Sequence, residues 1–226
     1  MLIVLEGLDG AGKSTQVKKL KEYLTARCGE LEYIHFPRYD APVYGDLISR
    51  FLRGDFGANE AVHPQLVALL FAEDRHGAAP AIKQALEDEK TVLLDRYVYS
   101  NIAYQCAKLK DMVERKRLRD WIFHTEYEDF RLPVPDLNLF LDVPIGFVEQ
   151  SLTHARSGAD RSYLGGHQDI HEASIAFQRD VRDIYLAQTR LDKSFLRIDC
   201  ADGSGQMLPP DDIFVRVRST IDPYLP

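Results

Sequence analysis

Apolar residues along this chain fall into short unbroken runs separated by longer stretches with helical spacing. Met1-Leu2-Ile3-Val4-Leu5 is such a run, of a length that suits a buried strand. Ser14 to Ala26 follows, with Val17, Leu20 and Leu24 on one helical face. Leu31 to Phe36 reads as a second strand, stopped by Pro37. Tyr44 to Leu52 reads as a helix ended by Gly54, and Asp55 to His63 as a loop. Pro64 stands where a first-turn proline belongs, and Leu66, Leu69 and Leu70 continue that helix to about Gly77. A separate helix is expected from Pro80 to Leu86, then a third strand from Thr91 to Leu94 that ends at Asp95. Ser100 to Lys108 and Met112 to Tyr127 are helical in pattern, and Pro133 and Pro135 break the chain. Leu137 to Leu141 is a fourth strand and Gly146 to Ala155 a helix. His171 to Leu191 is a long helix with a stripe of Ile175, Phe177, Val181, Ile184 and Leu191. Phe195 to Ile198 is a fifth strand, and Asp211 to Ile221 a last helix with Asp211 or Asp212 near its N-cap.

Strands that alternate with helices imply an α/β fold with a parallel sheet built from right-handed crossovers. Ligands of such sheets bind beyond the carboxyl ends of the strands. The chain has 226 residues, enough for one domain spanning 1–226 with helices on both faces of the sheet. A net charge of −7 argues against a nucleic-acid partner. The three cysteines, Cys28, Cys106 and Cys200, are scattered with no C-x-x-C, which argues against a zinc site and for a reducing compartment. No leader-like or membrane-spanning stretch is seen, so a cytoplasmic enzyme without a membrane partner is expected.

The turn between the first strand and the first helix sharpens the picture. Gly7-Leu8-Asp9-Gly10-Ala11-Gly12-Lys13-Ser14 fits G-x-x-x-x-G-K-[ST], the phosphate-binding P-loop. A strand, a glycine-rich turn and a helix N-terminus converge unpaired N–H groups and the positive end of a dipole on one spot. Lys13 adds a charge for the β- and γ-phosphates, and Ser14 a hydroxyl for Mg2+. The chain is therefore expected to bind a nucleoside triphosphate.

Other chemistry gathers at the strand ends. Asp95-Arg96-Tyr97 follows the third strand, where an acid can hold Mg2+ and an arginine can clamp phosphate with its planar fork, or where the two form a plain surface pair. Phe36-Pro37-Arg38-Tyr39 follows the second and is placed either to meet a second substrate or to make a plain turn. Phe71 and Arg75 share a helix face, as a base-stacking pair or as a core phenylalanine with a surface arginine. Ser100, Asn101, Tyr104 and Gln105 open the next helix; Ser100 reads as its N-cap or as a ligand contact, and carboxamides carry the paired donor and acceptor groups that match a base edge. Ser157 to Gln168 holds Gly158, Gly165 and Gly166, with Arg161 inside it and Arg156 at its edge. It reads either as a mobile loop that brings positive charge to a migrating phosphoryl group or as a solvated polar loop.

These stretches, with Thr15 after the P-loop, Leu70-Phe71-Ala72-Glu73-Asp74-Arg75, Asp95 through Asn101, and Pro135-Asp136, together resemble the thymidylate kinase family, on its bacterial side. The resemblance covers nearly the whole chain. It implies a three-layer P-loop kinase fold, with a five-stranded parallel sheet flanked by helices and a short mobile lid at about 155–170. It implies ATP as donor, dTMP as acceptor, Mg2+ as cofactor and a homodimer; apolar faces on the helices near 44–52 and 64–76 read equally as its interface or as core. By that resemblance Asp9 contacts the sugar 3′-hydroxyl, Phe71 stacks on thymine beside Arg75, and Asn101 or Gln105 bonds the base edge. Tyr104 lies under the deoxyribose, leaving no room for a 2′-hydroxyl, and Arg96 and Arg38 hold the acceptor phosphate, with Phe36, Pro37, Tyr39 and Ser100 around them. Asp169-Ile170-His171-Glu172 resembles a lid-end segment in which Glu172 helps Ser14 and Asp95 place Mg2+, and in which some relatives carry Tyr where His171 stands. Some members hold a catalytic arginine within the P-loop, where this chain has Gly10 and Ala11, so that charge falls to Arg161 or Arg156, with Arg161 favoured. Two rivals stand beside this reading. One is another nucleotide or deoxynucleoside kinase, with Glu6 or Asp95 as base. The other is a P-loop switch, against which the lack of an Asn-Lys-x-Asp segment counts.

Overall fold

Leu2, Ile3, Val4 and Leu5 are each almost fully shielded, as a strand covered on both faces must be. They form β1 (Leu2–Gly7), the middle of a five-stranded sheet in the order β2-β3-β1-β4-β5, with every pairing parallel. The other strands are β2 (Leu31–His35), β3 (Thr91–Asp95), β4 (Leu137–Asp142) and β5 (Phe195–Asp199). The computed structural model describes residues 1–153, 163–167 and 169–225. Helices α1 (Lys13–Cys28) and α8 (Pro210–Ile221) pack together on one side of the sheet. Helices α3 (Pro64–Glu87), α4 (Val98–Cys106) and α7 (Ile175–Leu191) cover the other, with α5 (Met112–Phe123) outside α4. Helix α2 (Tyr44–Leu52) packs on α3, and α6 (Ile145–Thr153) on α7. The three-layer architecture and the five parallel strands are as expected.

Two apolar clusters organise the interior. The large one joins the sheet to its covering helices. The small one, Ile48, Phe51, Leu52 and Val67, binds α2 to α3 and includes Tyr39, Phe71, Tyr163 and Ile170 at its margin. Between these clusters lies the space that the site uses.

Several boundaries differ from the sequence pattern. Residues 64–87 are one helix rather than two, with Pro80 inside it. A proline costs a helix one hydrogen bond, but burial of Ala78, Ala79, Ile82 and Ala85 carries α3 across the break. Helix α4 starts at Val98 rather than Ser100, because a carboxylate from another strand caps it. Helix α5 ends at Phe123, and His124–Asp129 winds into a wider π-helical turn. Helix α7 starts at Ile175, where Ser174 Oγ accepts from the N–H of Phe177, rather than at His171. Helix α8 has Pro209 at its N-cap, and Asp211 and Asp212 lie in its first turn. The lid arginines Arg156 and Arg161 lie outside the described residues.

Candidate active site

The P-loop leaves the carboxyl end of β1, whose neighbours β3 and β4 lie on either side of it. That is the point where the chain order of the sheet reverses and a crevice opens. Gly10 and Gly12 take left-handed backbone angles, φ 74° and 76°, that favour glycine. Gly12 is also the N-cap of α1, with no side-chain cap and no acid in the first turn. The first N–H groups of α1 are thus left for an anion. Lys13 folds back so that Nζ donates to the Leu8 carbonyl at 3.3 Å. Burial, then the Arg96 charge, lowers its pKa to about 8. Gly7, Leu8 and Thr15 complete the loop, and Asp9 through Thr15 line a cavity with Asp95, Arg96, Phe147, Ser151 and Glu172.

Arg96 holds φ 68°, an unusual angle for a non-glycine residue. Its N–H donates to the Leu5 carbonyl at 2.9 Å, which pins the turn to β1. The guanidinium then reaches Asp9 Oδ1 at 2.6 Å, Ser100 Oγ at 3.2 Å and the Tyr104 hydroxyl at 3.3 Å. Tyr104 and Gln178 Nε2 donate to the other Asp9 oxygen at 2.8 and 3.1 Å. Burial alone would raise the Asp9 carboxyl, but Arg96, Lys13 and Tyr104 outweigh it and hold it well below the usual range. Asp95 Oδ2 faces His35 Nδ1 at 3.1 Å, and its other oxygen is buried without a partner. Burial works against its charge too, yet His35 and Lys13 keep its pKa below normal.

Behind Arg96 sits Glu6, fully buried. One oxygen accepts the N–H groups of Tyr97 and Ser100 at 2.9 and 3.1 Å; the other accepts the hydroxyls of Ser100 and Tyr185 at 2.5 and 2.9 Å. Glu6 is therefore the cap of α4, placed from β1, and it fixes the helix that carries Ser100, Asn101, Tyr104 and Gln105. Burial raises its pKa. It lines neither the P-loop cavity nor the narrower cavity beside it, and its saturated bonding makes it a poor base for the rival sugar-hydroxyl chemistry.

The second cavity is narrower, with about 70 Å³ of water-accessible space against about 570 Å³ at the P-loop. Asp9, Phe36, Pro37, Tyr39, Phe71, Arg75, Arg96, Ser100, Asn101, Tyr104 and Gln105 all line it, together with Leu52, Tyr163, Asp169 and His171. Phe71 stands edge-on to Phe51, with ring centroids 6.4 Å apart, and turns toward the cavity. Arg75 is not the surface residue its spacing allowed: it is buried and paired with Glu126 at 2.5 and 2.7 Å. Asn101 Nδ2 donates to the Ala68 carbonyl and to Glu126, both at 2.9 Å. Its Oδ1 and the Oε1 of Gln105 are buried without protein partners. Arg38 is elsewhere: it donates through Nε and Nη2 to Asp74 at 2.9 and 2.6 Å and lines neither cavity. His171 is buried against Tyr104 and Phe177, and burial, then Lys108, lowers its pKa to about 3, so its ring is neutral.

Glu126, Gln178 and Tyr163 escaped sequence reasoning. Gln178 carried a usable signal, a polar residue beside the apolar stripe of α7; Glu126 and Tyr163 carried none.

A P-loop that faces a narrow aromatic cavity lined by carboxamides defines a phosphotransferase that brings two nucleotides end to end. The family model described as thymidylate kinase matches residues 5–207, and the chain belongs to that family. It is 35% identical over 185 residues to thymidylate kinase of Mycobacterium tuberculosis, covering 82% of this chain and 84% of that protein. It is 34% identical over 193 residues to the human thymidylate kinase, covering 85% and 82%. A solved thymidylate kinase structure from Candida albicans superposes with a TM-score of 0.70 at 28% identity, covering 99% of this chain and 91% of that one.

Proposed function

We propose that this protein transfers the γ-phosphoryl group of ATP to dTMP, giving dTDP and ADP for dTTP synthesis, within one domain spanning 1–226. The observation that carries the acceptor assignment is the fixed polarity of the narrow cavity. Asn101 cannot turn its amide over, because Nδ2 is held by Ala68 and Glu126. Oδ1 therefore faces a ligand as an acceptor. Arg75 uses Nε and Nη2 on Glu126, leaving Nη1 as a donor beside it. An acceptor next to a donor complements the N–H and carbonyl edge of thymine. Cytosine presents the reverse pattern and would leave buried groups unpaired, at about 1–3 kcal/mol each. Phe71 supplies the stacking face.

ATP lies with its phosphates on the P-loop N–H groups and Lys13. Its acceptor is already an anion, so no strong base is required and catalysis is positioning plus charge neutralisation. Arg96 stands between the cavities and holds the acceptor phosphate. Arg161, or Arg156, adds charge from the lid; both are proposals from the family pattern. Arg38, committed to Asp74, orders the turn before Tyr39 and is the weaker phosphate ligand.

Mg2+ fits this donor set: Ser14, Asp95 and Glu172 line one cavity and offer oxygen ligands, and one Asp95 oxygen is buried and unpaired. Among the described residues no group of three or more His, Cys, Asp or Glu could hold a metal ion; the proposed ion would be held largely by substrate phosphates. When bound there, Mg2+ would neutralise charge on the β- and γ-phosphate oxygens. We also propose a homodimer through α2 and α3. Leu66 and Leu69, three apart on α3, are 64% and 36% exposed, and Val43 before α2 is 69% exposed. Light scattering of the purified protein tests it, with twice the monomer mass expected. No helix among the described residues is long and apolar enough to cross a membrane; the cytoplasmic site of action is proposed from the family alone. The activity itself is tested by ADP release with dTMP as acceptor, and absence of turnover would refute the reading.

A further inference from the structure

Tyr163 belongs to no motif and no apolar stripe, yet it lines both cavities. Among the described residues, Asp9, Pro37, Tyr39 and Arg96 share that position. These residues mark the passage through which a phosphoryl group must cross. The Tyr163 ring lies flat on Tyr39, with centroids 3.8 Å apart and planes 8° from parallel. Its hydroxyl donates to Asp169 Oδ2 at 2.7 Å, and its carbonyl accepts from Arg53 Nη1 at 3.0 Å. The Ile170 N–H donates to the Leu52 carbonyl at 2.9 Å. Tyr163 and Ile170 both pack into the cluster of Phe51 and Phe71. The ring is thus fixed to the acceptor side of the molecule by stacking, two hydrogen bonds and an apolar seat.

We propose that Tyr163 is a positioning residue for phosphoryl transfer, its ring walling the passage with Tyr39 so that the acceptor phosphate, and not water, meets the γ-phosphorus. This rests on the reading of ATP and dTMP as substrates. In productive turnover an acceptor phosphate oxygen bonds to the γ-phosphorus while the bond to the β,γ-bridging oxygen breaks, and ADP leaves with that electron pair. If water enters instead, its oxygen makes the new bond, it releases a proton, and ADP and inorganic phosphate result. Two stacked rings exclude water at low entropic cost, because neither has to be ordered when substrate arrives. Polar residues of similar size would admit it.

The experiment compares wild type with Tyr163→Phe, Tyr163→Leu and Tyr163→Ala. ADP is followed by coupled assay and dTDP by chromatography in the same reaction with ATP, Mg2+ and dTMP. Wild type should give an ADP:dTDP ratio near unity. Tyr163→Phe keeps the stack and should stay near it. Tyr163→Ala should raise the ratio roughly twofold or more, the mark of opened water access, and raise the KM for dTMP, with the KM for ATP unchanged. Tyr163→Leu, which keeps apolar bulk in its seat, guards against misfolding and should fall between. A ratio of unity in both the Ala and Leu variants overturns the role of Tyr163, as does equal uncoupling in Tyr163→Phe. Wild type that makes no dTDP overturns the substrate reading together with it.

Discussion

Glu126 lines neither cavity and yet holds Arg75 and Asn101, the two side chains proposed to read the base, so its substitution tests that proposal sharply. It is fully buried, its partner Arg75 nearly so, at 0% and 3% side-chain exposure, with contacts of 2.5 and 2.7 Å. Glu126→Gln keeps the shape and removes the charge. One carboxamide oxygen can accept from Arg75, but the NH2 then faces the guanidinium donors or the Asn101 amide. A buried charge left without its counterpart typically costs about 3–5 kcal/mol. For a domain of this size each kcal/mol moves Tm by about 2–4 °C, so a fall of roughly 6–20 °C is expected without nucleotide. The kinetic effect should be selective. In the proposed pose Arg75 and Asn101 grip the base equally before and during transfer, so losing their alignment removes uniform binding and raises KM more than it lowers kcat. A misaligned base contact worth about 1–2 kcal/mol raises KM for dTMP roughly 5- to 30-fold. KM for ATP should stay within about twofold, since the P-loop shares no contact with Glu126. Thermal unfolding by circular dichroism and steady-state kinetics with each substrate varied read both effects. A Tm fall below about 3 °C with unchanged KM for dTMP would refute the scaffold role, because it would mean less than about 1 kcal/mol in the pair.

Lys13→Ala should lower kcat at least about 100-fold in the coupled ADP assay, the scale of one lost charge partner in the transition state; a loss under about tenfold would remove Lys13 from that role. Burial and Arg96 place the free-state pKa of Lys13 at about 8, so ATP affinity should weaken as pH rises through that value, and Lys13→Met should flatten the limb in calorimetric titrations. The native state then binds fewer protons at Lys13 than the unfolded chain between about 8 and 10.5, so this residue's cost to stability fades as pH climbs through that window. Phe71→Ala should weaken dTMP binding by about 1–3 kcal/mol, the scale of base–aromatic stacking; an unchanged dTMP affinity would make Phe71 core alone.

The P-loop, the five strands and most helices were legible because each is written in local residues. β1 is an apolar run, α1 has a simple stripe, and the glycines fall where left-handed angles are needed. Legibility failed where the cause lay elsewhere in the chain. Nothing near Ser100 tells that Glu6, on β1, caps α4 two residues earlier. Nothing near Pro80 tells that buried alanines carry α3 through it. Arg75 looked like a surface charge because its counterion is 51 positions away. Arg38 looked like a phosphate ligand because the pull of Asp74 depends on how α3 meets the β2 end. Tyr163 could be valued only once the two cavities were seen to meet at it.

The most direct test of the central assignment is ADP release with ATP and Mg2+, compared across dTMP, dUMP, dCMP, dGMP and deoxythymidine. Strong turnover is expected with dTMP, weaker turnover with dUMP and essentially none with dCMP, because the held amide of Asn101 and the Arg75 donor, as proposed, would reject the reversed edge of cytosine. Comparable rates with dCMP would contradict the base-reading geometry. Preference for deoxythymidine over dTMP would contradict the phosphate acceptor itself.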